Sequence, residues 1–430
     1  MQEALPTPFG LVRSGVAPDH QDTKNVINQF TALAQDPRVT FFGNVRVGTS
    51  GSVSLPELRS YYNAVVLAYG AESDRRLGLA GESTTSGIYS AREFVWWYNG
   101  HPSGTSLPID LKSVESVAVC GLGNVALDCA RILLRPWEHI STTDAARHAV
   151  NALRESNVKE VHLIGRRGPA QAAFTPKELR ELLNLPGLNV KILPDGCLNL
   201  SPTCQEEIRS NRVKRRIVEV MQKSIGRPNL GDESGNRSLN IHFYRSPYEL
   251  ISDDAGRLSG LRLEKTVLSG NRAVSTGEFE TLPIQMLLTS IGYRSLPIEG
   301  APFDAKAGII PNVHGQVMTD KDGQATVEPG LFVCGWIKRG PTGIIGTNLT
   351  DAEDTVEMMV NQKGTFPSIL ASKPGGEGLA SLLQERGCSP LSFADWEKID
   401  AVEKERGELV GKPREKFTSI SEMLSVVRSS

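Results

Sequence analysis

The sequence predicts an α/β protein built on parallel, doubly wound sheets. Short apolar strands alternate with amphipathic helical segments, the pattern of βαβ units. Three of these strands end on glycine: Ala64–Ala68 at Tyr69-Gly70-Ala71, Gln285–Gly292, and Leu331–Gly335. A further strand, Ser116–Cys120, runs directly into Gly121-Leu-Gly-Asn-Val-Ala126 and a helix. Ligands of such sheets sit at the carboxyl ends of strands, so these endings mark places for a cofactor.

Along the chain, Leu5–His20 is rich in Pro and Gly and reads as an ordered loop. A helix is predicted over 24–34, with Val26, Ile27, Phe30 and Leu33 on one face. Strands are predicted at Thr40–Phe42, Val45–Val47 and Ala64–Ala68. The last is apolar on both faces, which suits a central parallel strand. A second α/β unit begins near residue 112, with strand Ser116–Cys120, helix Asn124–Leu134 and strand Val158–Ile164. The polar stretch Asn199–Asn240 reads as an inserted helical excursion. Strands Asn240–Tyr244 and Gly260–Val267 bracket a turn at Asp253–Gly256. The tail after Gly364 carries one or two amphipathic helices and the segment Gly411–Lys416, expected to be peripheral.

A length of 430 residues suggests two or three domains. With 22% charged residues and a formal net charge of -2, the chain carries no global electrostatic case for nucleic acid or a membrane surface. No apolar run is long enough to span a bilayer. The six cysteines include no C-x-x-C pair, which argues against a dithiol site and a zinc ribbon and for neutral thiols in a reducing compartment.

Gly121–Ala126 has the spacing and context of a dinucleotide-binding turn. Gly121 permits the tight turn, and Gly123 admits a pyrophosphate to the helix N-terminus. Leu122, Asn124 and Val125 complete the loop. The next strand ends in Gly165-Arg166-Arg167, where an NAD site would carry a carboxylate. Two guanidinium groups suit a 2′-phosphate and favour NADPH. Gly335–Gly346, with Trp336 and Gly343, reads either as a cradle for a flat polar ring or as a structural glycine-rich turn. Arg212, Lys214, Arg215 and Arg216 form a basic cluster that is either a solvated helix face or a dock for an acidic protein carrier. No catalytic triad or metal cluster is recognisable; His20 and Glu178 are the ionisable residues of interest.

Four blocks, in order, carry a resemblance: Pro8–His20, Gly121–Asp128, Gly165–Pro169 with Phe174–Glu181, and Gly335–Ile345. Together they resemble the NADPH:adrenodoxin oxidoreductase (ferredoxin–NADP reductase) family, and Ser90–His101 is similar to its mitochondrial, plant-type members. The resemblance implies two interleaved dinucleotide-binding, Rossmann-like domains: an FAD domain over 1–71 plus 301–430, and an NADPH domain over 72–300. It implies FAD contacts at Leu11, Val47, Trp336, Gly343, Ile344 and Ile345. It implies NADP contacts at Leu122, Gly123, Asn124, Val125, Arg166, Arg167, Glu178 and Gly343, with His20 and Glu178 as a catalytic polar pair near the ring junction. Arg212, Lys214, Arg215 and Arg216 would dock a ferredoxin- or adrenodoxin-type [2Fe-2S] protein. The implied location is mitochondrial, with peripheral association with the inner membrane possible and no leader visible before Leu5.

Two departures from the family stand out. Leu122 replaces the usual Gln. The family also opens with a strand and a G-x-G-x-x-G turn for the FAD pyrophosphate, whereas this sequence begins at the following loop, roughly one β–α–β unit (~30–40 residues) later. The expectation is weak FAD binding, unpaired strand edges and poor solubility for the chain as written. The alternative to an active reductase is an NADPH-binding protein without stable flavin. A glutamate-synthase-type subunit is disfavoured, because no cysteine-rich cluster segment is present.

Overall fold

The computed structural model describes residues 1–225, 237–343, 346–362 and 372–429. Its largest layer grows around strand Ser116–Cys120, which is buried along its whole length. Val117 and Val119 face one side, and Ala118 and Cys120 face the other. The strand lies inside a six-stranded parallel sheet in the order Ile88–Ser90, Met286–Thr289, Ser116–Cys120, Glu160–Ile164, Arg237–His242, Leu188–Leu193. Helices Ala91–Asn99, Asn124–Leu134, Pro176–Leu183 and Arg212–Ser224 pack their apolar stripes on one face. The other face is covered by Leu258, Leu261 and Leu263 of an antiparallel three-stranded sheet, Arg245–Ser252, Leu258–Ser269 and Arg272–Pro283. Antiparallel strands therefore replace the second helical layer that a doubly wound sheet would carry.

Helix starts follow local chemistry. Ser90 Oγ accepts from the Glu93 N–H at 3.1 Å, and the Glu93 carboxylate accepts from the Ser90 N–H at 2.8 Å. This capping box begins helix Ala91–Asn99, and such caps contribute about 1 kcal/mol. Thr175 caps Pro176–Leu183 by accepting from the Glu178 N–H.

A second sheet is made from both ends of the chain. Val65–Leu67 runs parallel to Leu331–Val333, followed by antiparallel strands Gln316–Lys321 and Asn312–Val313. The chain passes between the two sheets through an antiparallel pair, Ser73–Asp74 with Tyr293–Arg294. The strand expected to be central is an edge strand, paired on one side only among the described residues, with Val66 42% exposed. Leu349, Val356 and Val360 of helix Thr347–Asn361 are also exposed.

Other expectations need correction. Thr40–Phe42 and Val45–Val47 make only isolated bridges, Gln2 with Phe42 and Val47 with Val53. The helix expected over 24–34 is split into Gln21–Lys24 and Ile27–Ala34, and Phe30 and Leu33 point outward. The excursion contains helices Pro202–Ser210 and Arg212–Ser224, while 226–236 lie outside the described residues. The C-terminal segment is not peripheral. It folds back over Gly407, where a Cβ would come within 2.4 Å of Arg414 Cα. Lys412, Glu415 and Lys416 are buried with salt-bridge partners, so their charges did not signal exposure.

Candidate active site

The turn Gly121–Gly123 sits where strand Ser116–Cys120 meets its helix. Gly121 has φ 131°, and a Cβ there would fall 2.1 Å from the Ser290 carbonyl oxygen. No side chain fits. Gly123 is the opposite case: its Cβ would meet nothing within 4 Å, so the space above it is open. Gly123 begins helix Asn124–Leu134 with no side-chain cap, in contrast to the capped helices above. Uncapped N–H groups under open space form the anion cradle of a helix N-terminus. The loop is held from outside: the Leu122 carbonyl accepts from the Ala173 N–H at 2.8 Å, and Asn124 Oδ1 accepts from the Thr175 N–H at 2.7 Å.

Leu122 has a packing role where the family usually has a polar residue. Its side chain lies over Gly165, whose Cβ would be 2.2 Å from Leu122 Cδ1. The Gly121 N–H also donates to the Ile164 carbonyl at 2.9 Å, so the glycine turn and the Gly165–Arg167 loop adjoin. Arg166 and Arg167 are exposed, and neither has a carboxylate partner among the described residues. Their backbone is fixed: Thr266 Oγ1 donates to the Arg166 carbonyl at 2.7 Å, and the Tyr244 N–H to the Arg167 carbonyl at 3.2 Å. Free guanidinium groups on a fixed backbone beside an anion cradle fit a phosphorylated dinucleotide.

His20 and Glu178, far apart in sequence, come together. His20 Nε2 is 3.5 Å from Glu178 and 3.0 Å from Glu181. The centre of this cluster is Arg131, buried on helix Asn124–Leu134. It donates to Asp19 at 2.7 and 2.9 Å, lies 2.8 Å from Asp128, and is 3.7 Å from both Glu178 and Glu181. Arg135 adds a 2.6 Å bond to Asp19. Burial works against the Asp19 charge, yet Arg131 and Arg135 hold its pKa down at about 2. Burial pushes Asp128 up to about 6 against the pull of Arg131 and His20. His20, Asp128 and Glu178 offer ligand atoms within 4.8 Å of one another, but the Arg131 guanidinium already supplies the cation there. Sequence reasoning missed Asp19, Asp128, Arg131 and Glu181. The i, i+3 pair Asp128 and Arg131, directly after the glycine turn, was the available signal.

Tyr98 OH and Arg92 Nη1 are buried without hydrogen-bond partners among the described residues, whereas the buried Asp128 Oδ1 faces Arg131 at 2.8 Å and the buried Glu178 Oε2 faces Arg131 Nη1 at 3.7 Å. Buried polar atoms need partners, so Tyr98 and Arg92 leave donors for water or a polar ligand.

The second loop begins at Gly335, whose N–H donates to Asp351 at 2.5 Å. Trp336 opens the short helix Trp336–Arg339, with its ring 5.3 Å from that of Tyr293. A Cβ on Gly335 or Gly340 would meet nothing within 4 Å, leaving room for a flat ring beside Trp336. Gly343, at φ 87°, is crowded against Thr347 and must be glycine. Ile344 and Ile345 lie outside the described residues. Leu11 is exposed on helix Gly10–Ser14, and Val47 packs with Phe42, Val53 and Leu58, so these two share no core cluster.

The basic cluster opens helix Arg212–Ser224 and is partly neutralised. Lys214 pairs with Glu207, and Arg216 and Arg215 lie 3.1 and 3.8 Å from Glu219. Arg212 has no carboxylate partner among the described residues. Cations in a first helical turn oppose the macrodipole by about 0.3–1 kcal/mol each, so helix stability does not explain them.

A chain with this glycine turn and these arginines on a parallel sheet, joined by two crossing segments to a second sheet, is a dinucleotide-dependent oxidoreductase in class. It is 50% identical to the mitochondrial NADPH:adrenodoxin oxidoreductase of Arabidopsis thaliana, over 98% of this chain and 88% of that one. It is 46% identical to the human protein of the same name, over 99% and 86%. Among solved structures, Mycobacterium tuberculosis FprA in complex with NADPH superposes with a TM-score of 0.89 at 40% identity, covering 100% of this chain and 92% of FprA. No family model matches the sequence. The chain belongs to the NADPH:adrenodoxin oxidoreductase family.

Proposed function

We propose that this protein takes electrons from NADPH and passes them through FAD to a ferredoxin- or adrenodoxin-type [2Fe-2S] protein in mitochondria. The observation that carries the reading is the uncapped helix start at Gly123 beside Arg166 and Arg167, which have no carboxylate partner among the described residues. The mitochondrial relatives support the location. No helix among the described residues is long and apolar enough to cross a membrane.

In this reading, residues 1–71 and 301–430 form the FAD domain and 72–300 the NADPH domain. Gly123, Asn124 and Val125 present backbone donors to the NADPH pyrophosphate, with Leu122 packed below. Arg166 and Arg167 bind the 2′-phosphate. Trp336 and Gly343 shape the place for the flavin ring, with Ile344 and Ile345 beside them and Leu11 and Val47 toward the rest of FAD. The chemistry supplied by bound FAD is the conversion of a two-electron donor into one-electron transfers. His20, between Glu178 and Glu181, holds a proton at Nε2 near the ring junction. Arg212, Lys214, Arg215 and Arg216 meet the acidic face of the carrier.

The open edge at Val65–Leu67 favours one second reading, an NADPH-binding protein without stable flavin. The test is a visible spectrum of the purified chain with added FAD, together with NADPH-driven, ferredoxin-dependent cytochrome c reduction. A flavin spectrum with turnover supports the reductase. NADPH binding with neither flavin nor turnover overturns it in favour of the second reading.

A further inference from the structure

We infer that the cleft bounded by Arg75, Arg294 and Lys306 is a binding site for a compact phosphoryl oxyanion. The cleft has a volume of about 200 Å³ and is also lined by Tyr293, Ala307 and Pro341. All three cations are exposed, and none has a carboxylate partner among the described residues. Other exposed cations are ion-paired, among them Arg257 with Asp253, Arg262 with Glu249 and Lys265 with Glu278.

The one carboxylate on the adjoining turn is already engaged. Asp304 Oδ1 accepts from the Lys306 N–H at 2.8 Å and the Ala307 N–H at 2.9 Å. Arg294 is anchored, because its Nη2 donates to the Ala305 carbonyl at 3.1 Å and leaves its other donors for a ligand. The Arg75 N–H donates to the Gly292 carbonyl at 3.0 Å, which fixes the backbone that carries this second guanidinium. Arg75, Arg294 and Lys306 all line one small concavity, and two guanidinium forks with an ammonium match the several oxygens of a phosphoryl group. The volume of about 200 Å³ admits a phosphate or pyrophosphate group.

The location gives the site consequence. Arg294 belongs to one of the paired segments that cross between the sheets, and Arg75 directly follows the other. Pro341 belongs to the loop that carries Gly343, and Tyr293 lies against Trp336. An anion here bridges the crossover to the ring loop. Free pyrophosphate and the phosphate of a mononucleotide share the required chemistry.

The test is calorimetric titration of the full chain, saturated with FAD and carrying R166A/R167A to silence the dinucleotide phosphate site. Inorganic pyrophosphate and 2′-AMP are the two probes. Binding of one equivalent is expected, weakened at least about tenfold by R294Q/K306Q and, separately, by R75Q. Pyrophosphate binding without 2′-AMP assigns the free anion, and binding of both assigns a nucleotide phosphate. Matched thermal melts verify that these exposed substitutions leave the fold intact. Absence of binding up to about 10 mM, or binding that these substitutions do not weaken, overturns the inference.

Discussion

Replacing Asp144 should be far more damaging than replacing the lysine it shares. Lys24 Nζ donates to both Asp144 oxygens at 2.6 and 2.8 Å, and Lys416 Nζ lies 3.1 Å from Oδ2. All three side chains are buried, with exposures of 4% for Asp144, 8% for Lys24 and 1% for Lys416. One carboxylate therefore serves two ammonium groups. Burial works against the Asp144 charge, but Lys416 and Lys24 hold its carboxyl well below the usual range. Burial pushes Lys416 down to about 7, against the pull of Asp144. Asp144→Ala strands two buried cations and should cost about 3–5 kcal/mol. Lys416→Met leaves Asp144 paired with Lys24 and removes the surplus charge. Its cost is the loss of bonds to the Arg13 and Asn99 carbonyls, at 3.1 and 3.2 Å, about 1–3 kcal/mol in all. The double variant should cost less than the sum of the singles by about 1 kcal/mol or more. Urea unfolding followed by tryptophan fluorescence measures all three, with Trp396 under the Arg13 guanidinium as a nearby reporter. Because the folded value of Lys416 is below its unfolded 10.5, the unfolded chain binds more protons between about pH 7 and 10.5. Stability should rise with pH across that window, and Lys416→Met should flatten the rise. Equal costs for the two single variants, or strict additivity, would refute the reasoning.

Arg166→Ala with Arg167→Ala should weaken NADPH binding about a hundredfold, through two lost charge-assisted contacts, and leave NADH binding unchanged, as fluorescence titration would measure. Gly121→Ala and Gly123→Ala should separate fold from ligand: the first collides with Ser290 and lowers the melting temperature, whereas the second preserves it and loses NADPH. His162 Nδ1 and His242 Nε2 lie 3.0 Å apart inside the sheet, and burial, then the neighbouring His162, lowers His242 to about 4. Its contribution is complete above the unfolded value of 6.5 and is lost as pH falls toward 4, by up to about 3 kcal/mol. His242→Gln should therefore narrow the difference between urea midpoints measured near neutral and near pH 5. Val66→Lys on the open edge strand should reduce self-association in light scattering without changing the melting temperature.

What the sequence made legible was local. Gly121–Ala126 and Gly165–Arg167 could be read because one short stretch contains both the turn and the residues that require it. The parallel strands around Ser116–Cys120 were legible because burial on both faces leaves a continuous apolar run. The same rule misplaced Ala64–Ala68: apolarity records what a strand could bury, and the fold leaves Val66 at an edge. Charge misled in the opposite direction at Gly411–Lys416. Lys416 looks solvated in a linear reading because its partners, Asp144, Asn99 and the Arg13 carbonyl, are hundreds of residues away. Arg131 was missed for a related reason, since on helix Asn124–Leu134 it reads as one more polar position until Asp19 and Glu178 arrive from elsewhere.

The loop from Arg13 to Lys24 shows why these distant partners matter to function. It links the short helices Gly10–Ser14 and Gln21–Lys24 through a segment without regular structure. Its course is set at three points: Arg13 on Glu403 at 2.5 and 2.8 Å, Asp19 on Arg131 and Arg135, and Lys24 on Asp144. The three partners come from helix Phe393–Glu408, the helix after the glycine turn, and the segment that follows it. Apolar packing tolerates small slides, but a buried ion pair with hydrogen-bond geometry does not, because its desolvation is offset only at contact distance. His20 sits between the second and third anchors, so its distance from Glu178 and Glu181 depends on charge pairs made by three separate parts of the chain. The position of this candidate proton-holding group is thus tied to three separate parts of the chain, and a change at Asp144 or Glu403 should reach it without touching the dinucleotide cradle.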